Sequence, residues 1–204
     1  MKFHAIVPVK TLYQAKSRLA EVLTPAARHA LVLEMLERVL RTLRDPAIGF
    51  EVIWLVSADP VVLEAGAAWG ASVLHEIGGE LNLALEQART AAFAAGAEAV
   101  LVVPGDVPLM TPEDAVAMTT LLAAGADAVI APDAANEGTN ALGLRRQALI
   151  PFSFGLASAM RHQAEAAARG LHVTIYQSPT LALDIDRPAH LVRYRALTLE
   201  RAAS

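Results

Sequence analysis

The sequence predicts an α/β fold with a mostly parallel central sheet and helices on both faces. Short apolar runs rich in β-branched residues alternate with helical patterns along nearly all 204 residues. Runs such as residues 3–9 and 99–103 are continuously apolar, which is typical of parallel strands buried on both faces. No linker, internal repeat or low-complexity segment interrupts the pattern. We therefore expect residues 1–204 to form a single domain.

The individual elements follow from local signals in chain order. Strands are predicted at 3–9, 51–57, 71–74, 99–103, 127–131, 141–144, 172–176 and 182–185. Helices are predicted at 25–43, 60–69, 82–95, from 112 onward, 156–169 and 188–203. The clearest starts are Thr24 before Pro25, and Thr111 with Asp114 at the capping-box position. Ligands bind at the carboxyl ends of parallel strands, so we expect the functional residues in the loops that follow strands.

Composition excludes several classes of function. The net charge of −4 gives no basic field for nucleic acid or an anionic membrane. The absence of cysteine excludes disulfides, thiolate metal sites and cysteine nucleophiles. No apolar run approaches the roughly 20 residues that span a bilayer, and no signal peptide is recognisable. We expect a cytoplasmic protein without nucleic-acid or membrane partners, and the oligomeric state stays open.

Two acidic clusters stand at the ends of apolar runs. Asp106 follows residues 99–103 after Pro104 and Gly105, and Gly105 lets the backbone turn closely beside a ligand. Asp184 and Asp186 alternate with Ile185 at the end of a predicted strand, so both side chains are expected on one face. Carboxylates in these places suit a hard divalent cation, although Asp106 is also suited to a turn and Asp186 to capping the last helix.

The loop after the first strand is basic. It offers Lys10, Lys16 and Arg18 within nine residues and lacks the glycine patterns of dinucleotide-binding and P-loop proteins. Three such charges are able to hold a triphosphate and to neutralise the charge that builds up during phosphoryl-type transfer. An ordinary solvated basic loop is the alternative interpretation.

Two further segments have the chemistry of an anion site. Gly138-Thr139-Asn140 can present amides and a hydroxyl to an anion, although an ordinary polar turn has the same composition. Gly155 and Ser158 stand at a helix start, where backbone amides bind anions. His162 lies one turn beyond Ser158 and either contacts a carboxylate or phosphate or is structural.

These blocks together resemble the 2-phospholactate (phosphoenolpyruvate) guanylyltransferase family. The similar segments are Val7–Lys10, Ala15–Leu19, Leu81-Asn82, Pro104–Leu109, Gly138–Leu142, Phe154-Gly155 with Ser158, and Leu183–Asp186. They occur in family order and cover nearly the whole chain. Glu80 is a departure, because the family more usually has glycine there.

The resemblance implies a Rossmann-like nucleotidyltransferase fold of the glycosyltransferase-A type. It also implies transfer of GMP from GTP to phosphoenolpyruvate or 2-phospho-L-lactate in the biosynthesis of coenzyme F-420, with the product passed to the next enzyme. Two Mg²⁺ ions are expected on Asp106, Asp184 and Asp186. The acceptor is expected at Thr139, Gly155 and Ser158. We expect Lys10, Lys16 and Arg18 to be catalytic, and the nucleotide to contact Gly79, Asn82, Pro104 and Gly105.

Other functions remain as alternatives. The same reaction with 3-phosphoglycerate as acceptor differs only in pocket shape. A nucleotidyltransferase for another cofactor or for a sugar phosphate would more typically carry a glycine-rich first loop. A glycosyltransferase would more usually have Asp-x-Asp after the central strand, and a non-catalytic nucleotide-binding module would not need three aspartates.

Overall fold

The computed structural model describes residues 1–77 and 79–203, with backbone alone for 201–203. Its strands are β1 (Phe3–Pro8), β2 (Val52–Ser57), β3 (Ser72–His75), β4 (Ala99–Val102), β5 (Ala128–Pro132), β6 (Thr139–Arg145) and β7 (Val173–Ile175). Its α-helices are α1 (Pro25–Leu43), α2 (Pro60–Ala68), α3 (Leu81–Ala94), α4 (Pro112–Ala123), α5 (Ser158–Ala168) and α6 (Pro188–Ala203), and Ser17–Leu19 form one 3-10 turn. No helix in these ranges is long and apolar enough to cross a membrane.

The strands form one mostly parallel sheet in the order β3-β2-β1-β4-β6-β5-β7. β6 runs antiparallel to both of its neighbours, and the other pairs are parallel. The chain moves outward from β1 to β3 and then returns to place β4 on the other side of β1. This reversal is the topological switch point, where α/β proteins bind ligands at the carboxyl ends of the strands.

Helices cover both faces of the sheet, as the continuous apolar strands predict. On one face Ala5 and Val7 of β1 pack with the buried residues of α1, α4 and α6. On the other face Ile6 packs with the buried residues of α3 and α5. Alternate residues of one strand thus enter opposite cores, which is why neither face of β1 is exposed to solvent.

Several element predictions need correction. Strand β6 begins at Thr139 rather than at residue 141, so Thr139 and Asn140 lie in the sheet and not in a turn before it. Residues 182–186 are not a strand, because no neighbouring strand in the described part of the chain pairs with them. They are held by isolated backbone hydrogen bonds to loops: Ala134 N–H donates to Ala182 O, and Ile185 N–H donates to Asp106 O. Helix α5 begins at Ser158 rather than residue 156, because Gly155 (φ 121°) and Ala157 (φ 51°) are left-handed. Helix α3 begins at Leu81, with Glu80 as its N-cap residue.

Asp114 ties the start of α4 to the chain that follows β7. Its buried carboxylate accepts a hydrogen bond from the Thr111 amide at 2.9 Å, as the predicted capping box requires. It also accepts hydroxyl hydrogen bonds from Tyr176 (3.1 Å), Ser178 (2.6 Å) and Thr180 (2.6 Å). A buried carboxylate is stable only when its oxygens are hydrogen-bonded, and these donors meet that requirement.

We expect Asp114→Ala to lower the free energy of unfolding by about 3 kcal/mol, because it leaves buried hydroxyl and amide groups unpaired. Urea unfolding at neutral pH measures the change. Glu113→Ala is the matched control, since Glu113 is exposed in the same helical turn and its loss is expected to cost under about 0.5 kcal/mol. Equal losses in the two variants would contradict this role for Asp114.

Candidate active site

The loops that follow β1 and β4 meet at the switch point. Val9 N–H donates to Val56 O, and Gly105 N–H donates to Pro8 O at 3.4 Å. A Cβ built on Gly105 would lie 2.8 Å from Val9 Cγ2, so this position requires glycine for close packing between the two loops. Asp106 is thereby placed directly beside the basic loop.

Lys16 forms the central ion pairs of this region. Its Nζ lies 2.6 Å from Asp106 Oδ2 and 2.7 Å from Asp186 Oδ1, and its side chain is only 6% exposed. Burial alone would lower the pKa of Lys16, but the two carboxylates raise it above its ordinary value. Lys16 therefore stays protonated and joins two aspartates that are 80 residues apart in sequence, from 106 to 186.

Asp184 completes the acidic cluster. Burial raises its pKa, and the nearby charges of Asp106 and Asp186 raise it further. Burial also acts to raise the pKa of Asp186, but Lys16 outweighs it and holds that pKa below the ordinary value. The difference means that Lys16 compensates Asp186, whereas Asp184 carries a negative charge that is poorly balanced.

Loop contacts rather than a strand hold Asp184 and Asp186 in place. Ile185, between them, bonds to the backbone of Asp106 at 3.1 Å. Asn140 Nδ2 donates to Leu181 O at 2.7 Å, and His190 Nδ1 bonds to Asp184 O at 2.8 Å. The predicted convergence of the two acidic clusters therefore occurs, but the predicted strand is not its cause.

No group of three or more acidic or histidine side chains in residues 1–77 and 79–203 is arranged as a ready metal site. The Lys16 ammonium lies between Asp106 and Asp186 instead. The donor set nevertheless suits Mg²⁺, because it consists of carboxylate oxygens and because Asp184 faces like charges that Lys16 only partly offsets. The residues fit the ion if it shares or takes over the carboxylate oxygens that Lys16 now contacts.

The other two cations of the basic loop are accessible. Arg18 is 67% exposed on its side chain, and its Nη1 lies 3.5 Å from Asp186 Oδ2. Lys10 is exposed and close enough to help lower the pKa of Asp186. Leu12 anchors the loop, because its amide donates to Asp59 Oδ2 at 2.8 Å. The loop thus presents Lys10 and Arg18 to solvent while Lys16 is committed to the aspartates.

The predicted acceptor residues lie beside the same edge. Val102 of β4 pairs with Leu142 of β6 in an antiparallel ladder, so Thr139 at the start of β6 runs alongside the loop after β4. Ala159 N–H donates to Glu137 O at 3.0 Å, which brings the start of α5 to this place. Thr139 and Ser158 are both buried, at 5% and 1% exposure.

His162 connects two parts of this region. Its Nε2 accepts a hydrogen bond from Ser153 N–H at 3.0 Å, and its Nδ1 lies 3.1 Å from Thr139 Oγ1. Burial and the neighbouring Arg161 charge lower the pKa of His162 to about 4. The sequence offered one signal for this residue, its one-turn spacing from Ser158, but its partner Thr139 is remote in sequence.

Helix α3 holds the segment that leads into Gly155. Asn82 Oδ1 accepts from Phe154 N–H at 2.8 Å, and Asn82 Nδ2 donates to Phe154 O at 3.3 Å. Glu86 Oε1 accepts from Phe152 N–H at 3.3 Å, and Arg89 Nη1 donates to Ile150 O at 2.7 Å. Asn82, Glu86 and Arg89 follow one another at spacings of four and three residues, so they lie on one face of α3, and that face bonds to alternate residues of the segment.

The remaining predicted nucleotide contacts lie just before α3 and just after β4. Gly79 (φ 74°) is in the left-handed region just before α3, and half-buried Pro104 precedes Gly105 after β4. Asn82 is the second residue of α3, and its carboxamide is already used at both ends by Phe154. A cavity of about 270 Å³ lies elsewhere, around Arg44, Phe50 and Gly70, and includes none of the predicted site residues.

Solved structures share this fold. A nucleotidyl transferase from Methanothermobacter thermautotrophicus superposes with a TM-score of 0.74 at 17% identity, covering 98% of this chain and 99% of that one. CMP:2-keto-3-deoxy-manno-octonic acid synthetase, solved with CTP, superposes with a TM-score of 0.67 at 16% identity, covering 98% and 100%. The predicted nucleotidyltransferase-type fold is thereby confirmed.

Sequence relatives identify the family. A phosphoenolpyruvate guanylyltransferase of Rubrobacter xylanophilus is 44% identical over 196 residues, covering 96% of this chain and 95% of the relative. A 2-phospho-L-lactate guanylyltransferase of Methanothermobacter thermautotrophicus is 40% identical over 190 residues, covering 91% and 81%. A family model described as guanylyl transferase, CofC-like, matches residues 3–194. The resemblance seen in the sequence is confirmed, and the chain belongs to the CofC-like guanylyl transferase family.

Proposed function

We propose that this chain transfers GMP from GTP to phosphoenolpyruvate and releases pyrophosphate. The observation that carries the proposal is the meeting of Asp106, Asp184 and Asp186 with the basic loop at the switch point of a guanylyl transferase family member. Phosphoenolpyruvate is preferred to 2-phospho-L-lactate because the more similar of the two relatives described above is named for it.

The reaction requires no general base. The acceptor's phosphate has a second pKa of about 6, so its oxygen is already anionic at neutral pH. This oxygen attacks the α-phosphorus of GTP, and a new P–O bond forms. The bond from the α-phosphorus to the oxygen bridging to the β-phosphorus breaks, and pyrophosphate leaves with the electron pair. The protein has to align the two substrates and to stabilise negative charge.

The basic loop supports this reaction in two ways. Exposed Lys10 and Arg18 are placed to neutralise the GTP phosphates and the departing pyrophosphate. Lys16 holds Asp106 and Asp186 together before the substrates bind. We assign Lys16 to holding the aspartates rather than to direct contact with GTP, because its ammonium is buried and contacts two carboxylates.

We further propose that Asp106, Asp184 and Asp186 hold two Mg²⁺ ions. When bound, Mg²⁺ would neutralise charge on the α-phosphate and on pyrophosphate. The carboxylate donor set and the unbalanced charge at Asp184 support this assignment.

The substrates are placed by the neighbouring loops. We place the acceptor's anionic groups at Thr139, Gly155 and Ser158, and the nucleotide near Gly79, Asn82, Pro104 and Gly105. The buried hydroxyls at the start of β6 and α5 support the acceptor assignment. We place the reaction in the cytoplasm, where GTP and phospho-acids are available, with the product passed to the next enzyme of coenzyme F-420 biosynthesis.

The proposed function predicts pyrophosphate release that requires both GTP and a three-carbon phospho-acid. Phosphoenolpyruvate, 2-phospho-L-lactate, 3-phosphoglycerate and a sugar 1-phosphate are compared under identical conditions, with mass spectrometry of the guanylylated product. We expect the highest kcat/KM with phosphoenolpyruvate. ATP and CTP in place of GTP serve as controls. Turnover confined to the sugar phosphate would refute the proposal, and a preference for 3-phosphoglycerate would refute the acceptor.

Asp184→Asn is expected to lower kcat/KM at least 100-fold, or about 2.7 kcal/mol of transition-state stabilisation. It removes a negative charge from the cluster, and the Asp184 side chain makes no ion pair with another described residue, so the fold should persist. Turnover is measured across a magnesium titration, with thermal unfolding as the folding check.

Asp127→Asn is the matched control for this prediction. Asp127 precedes β5 at the opposite end of the sheet, where it accepts the His172 amide at 2.9 Å, and asparagine can keep that bond. Its kcat/KM is expected within twofold of the wild-type value. Wild-type turnover by Asp184→Asn at saturating magnesium would refute the metal assignment.

A further inference from the structure

The His162 ring has a defined protonation state, which follows from its partners. A backbone amide can only donate, so the bond from Ser153 N–H makes Nε2 an unprotonated acceptor. Burial keeps the ring neutral at pH 7, since it lowers the pKa of His162 to about 4. A neutral imidazole carries one proton, which must then reside on Nδ1. His162 therefore donates this hydrogen to Thr139 Oγ1.

This donation determines what the Thr139 hydroxyl can do. One lone pair of Oγ1 is occupied by the His162 hydrogen at 3.1 Å. The hydroxyl's own hydrogen has no acceptor among the residues that the structure describes, although the residue is only 5% exposed. A nearly buried hydroxyl hydrogen without an acceptor is costly, and such groups are normally paired with water or a ligand.

The ring itself is held rigidly. Phe154 packs edge-on against it, with ring centroids 5.1 Å apart, and Asn82 fixes the Phe154 backbone at both its amide and its carbonyl. The histidine is fully buried within α5. The direction of the Nδ1–H bond is set before any substrate arrives, and it keeps the Thr139 hydroxyl hydrogen pointed away from the ring.

We propose that His162 is a positioning residue for the acceptor, which acts by turning the Thr139 hydroxyl hydrogen toward an anionic oxygen of the phospho-acid. The proposal rests on the acceptor assignment made under the proposed function. His162 does not touch the substrate and transfers no proton. A hydrogen bond from a pre-oriented donor to an anion contributes more to binding than one whose donor must first reorient.

Two substitutions separate this role from a purely structural one. His162→Gln can keep an acceptor near the Nε2 position for Ser153 N–H but loses the donor to Thr139. His162→Asn can keep a donor near the Nδ1 position but loses the acceptor for Ser153. The proposal predicts that the glutamine variant raises the KM for phosphoenolpyruvate about tenfold, with the KM for GTP unchanged within twofold. The asparagine variant should stay near the wild-type acceptor KM.

A double-mutant cycle with Thr139→Val tests whether His162 acts through Thr139. Valine is similar in shape to threonine but has no hydroxyl, so we expect the acceptor KM of Thr139→Val to rise about tenfold. Adding His162→Gln should then raise it less than twofold further, because the two residues form one unit. Thermal unfolding of every variant verifies that the fold persists.

The Kd of each variant for phosphoenolpyruvate is measured by calorimetry alongside the kinetics. The two measurements together separate failure of the His162 proposal from failure of the proposed function. The proposal would be overturned if the increases in acceptor KM caused by His162→Gln and Thr139→Val multiplied in the double variant. An unchanged acceptor KM in His162→Gln would also overturn it. If only His162→Asn raised the acceptor KM, the role of His162 would be limited to its hydrogen bond with Ser153, and the proposal would be overturned. A wild-type protein that binds phosphoenolpyruvate without transferring GMP would refute the proposed function, and the cycle in Kd would still decide the role of His162. Absence of both binding and turnover would overturn both proposals.

Discussion

The contact of Lys16 with Asp106 and Asp186 is the interaction on which the candidate site depends. Three carboxylates gather at one edge of the sheet, and Lys16 supplies a buried positive charge between two of them. The backbone of Lys16 is left-handed, with φ 56°, which is uncommon for a residue other than glycine. Removal of the lysine would leave Asp106 and Asp186, whose side chains are 32% and 39% exposed, without their compensating charge, so the carboxylates of the cluster would repel one another. The basic loop therefore stabilises the acidic cluster even when no substrate is bound.

The acidic cluster is also held by a part of the chain that has no regular secondary structure. Ala182 and Ile185 make backbone hydrogen bonds to Ala134 and Asp106, respectively. The carbonyl of the adjoining Leu181 accepts a hydrogen bond from the Asn140 side chain. Asp114 anchors the preceding segment through the hydroxyls of Tyr176, Ser178 and Thr180. A segment held in this way is able to move while the sheet stays intact, because only a few hydrogen bonds have to change.

Sequence reasoning located the switch-point loops because strands β1 and β4 are continuous apolar runs that end at charged residues. It placed Asp184 and Asp186 on a strand because Asp-Ile-Asp alternates with period two, but alternation does not reveal whether a neighbouring strand is present to pair with. The antiparallel direction of β6 was unpredictable for a similar reason, since a fully buried strand has the same composition in either orientation. The aspartates that pair with Lys16 were also beyond reach, because they lie 90 and 170 residues away in sequence. The same holds for Thr139, which lies 23 residues from His162. These contacts arise only from tertiary packing.

Helix α3 connects the region where we place the nucleotide to the region where we place the acceptor. Its first turn lies where we place the nucleotide, while Asn82, Glu86 and Arg89 hold alternate residues of the segment leading to Gly155. A nucleotide that orders the start of α3 would order the acceptor loop as well, since Asn82 stands in the first turn of α3 and both ends of its carboxamide hold Phe154. Glu80, the departure from the family pattern, has no side-chain capping bond and is exposed. With the nucleotide where we propose it, Glu80 acts on it through its charge rather than through the shape of the helix start, because the backbone of α3 begins at Leu81 without help from the Glu80 carboxylate.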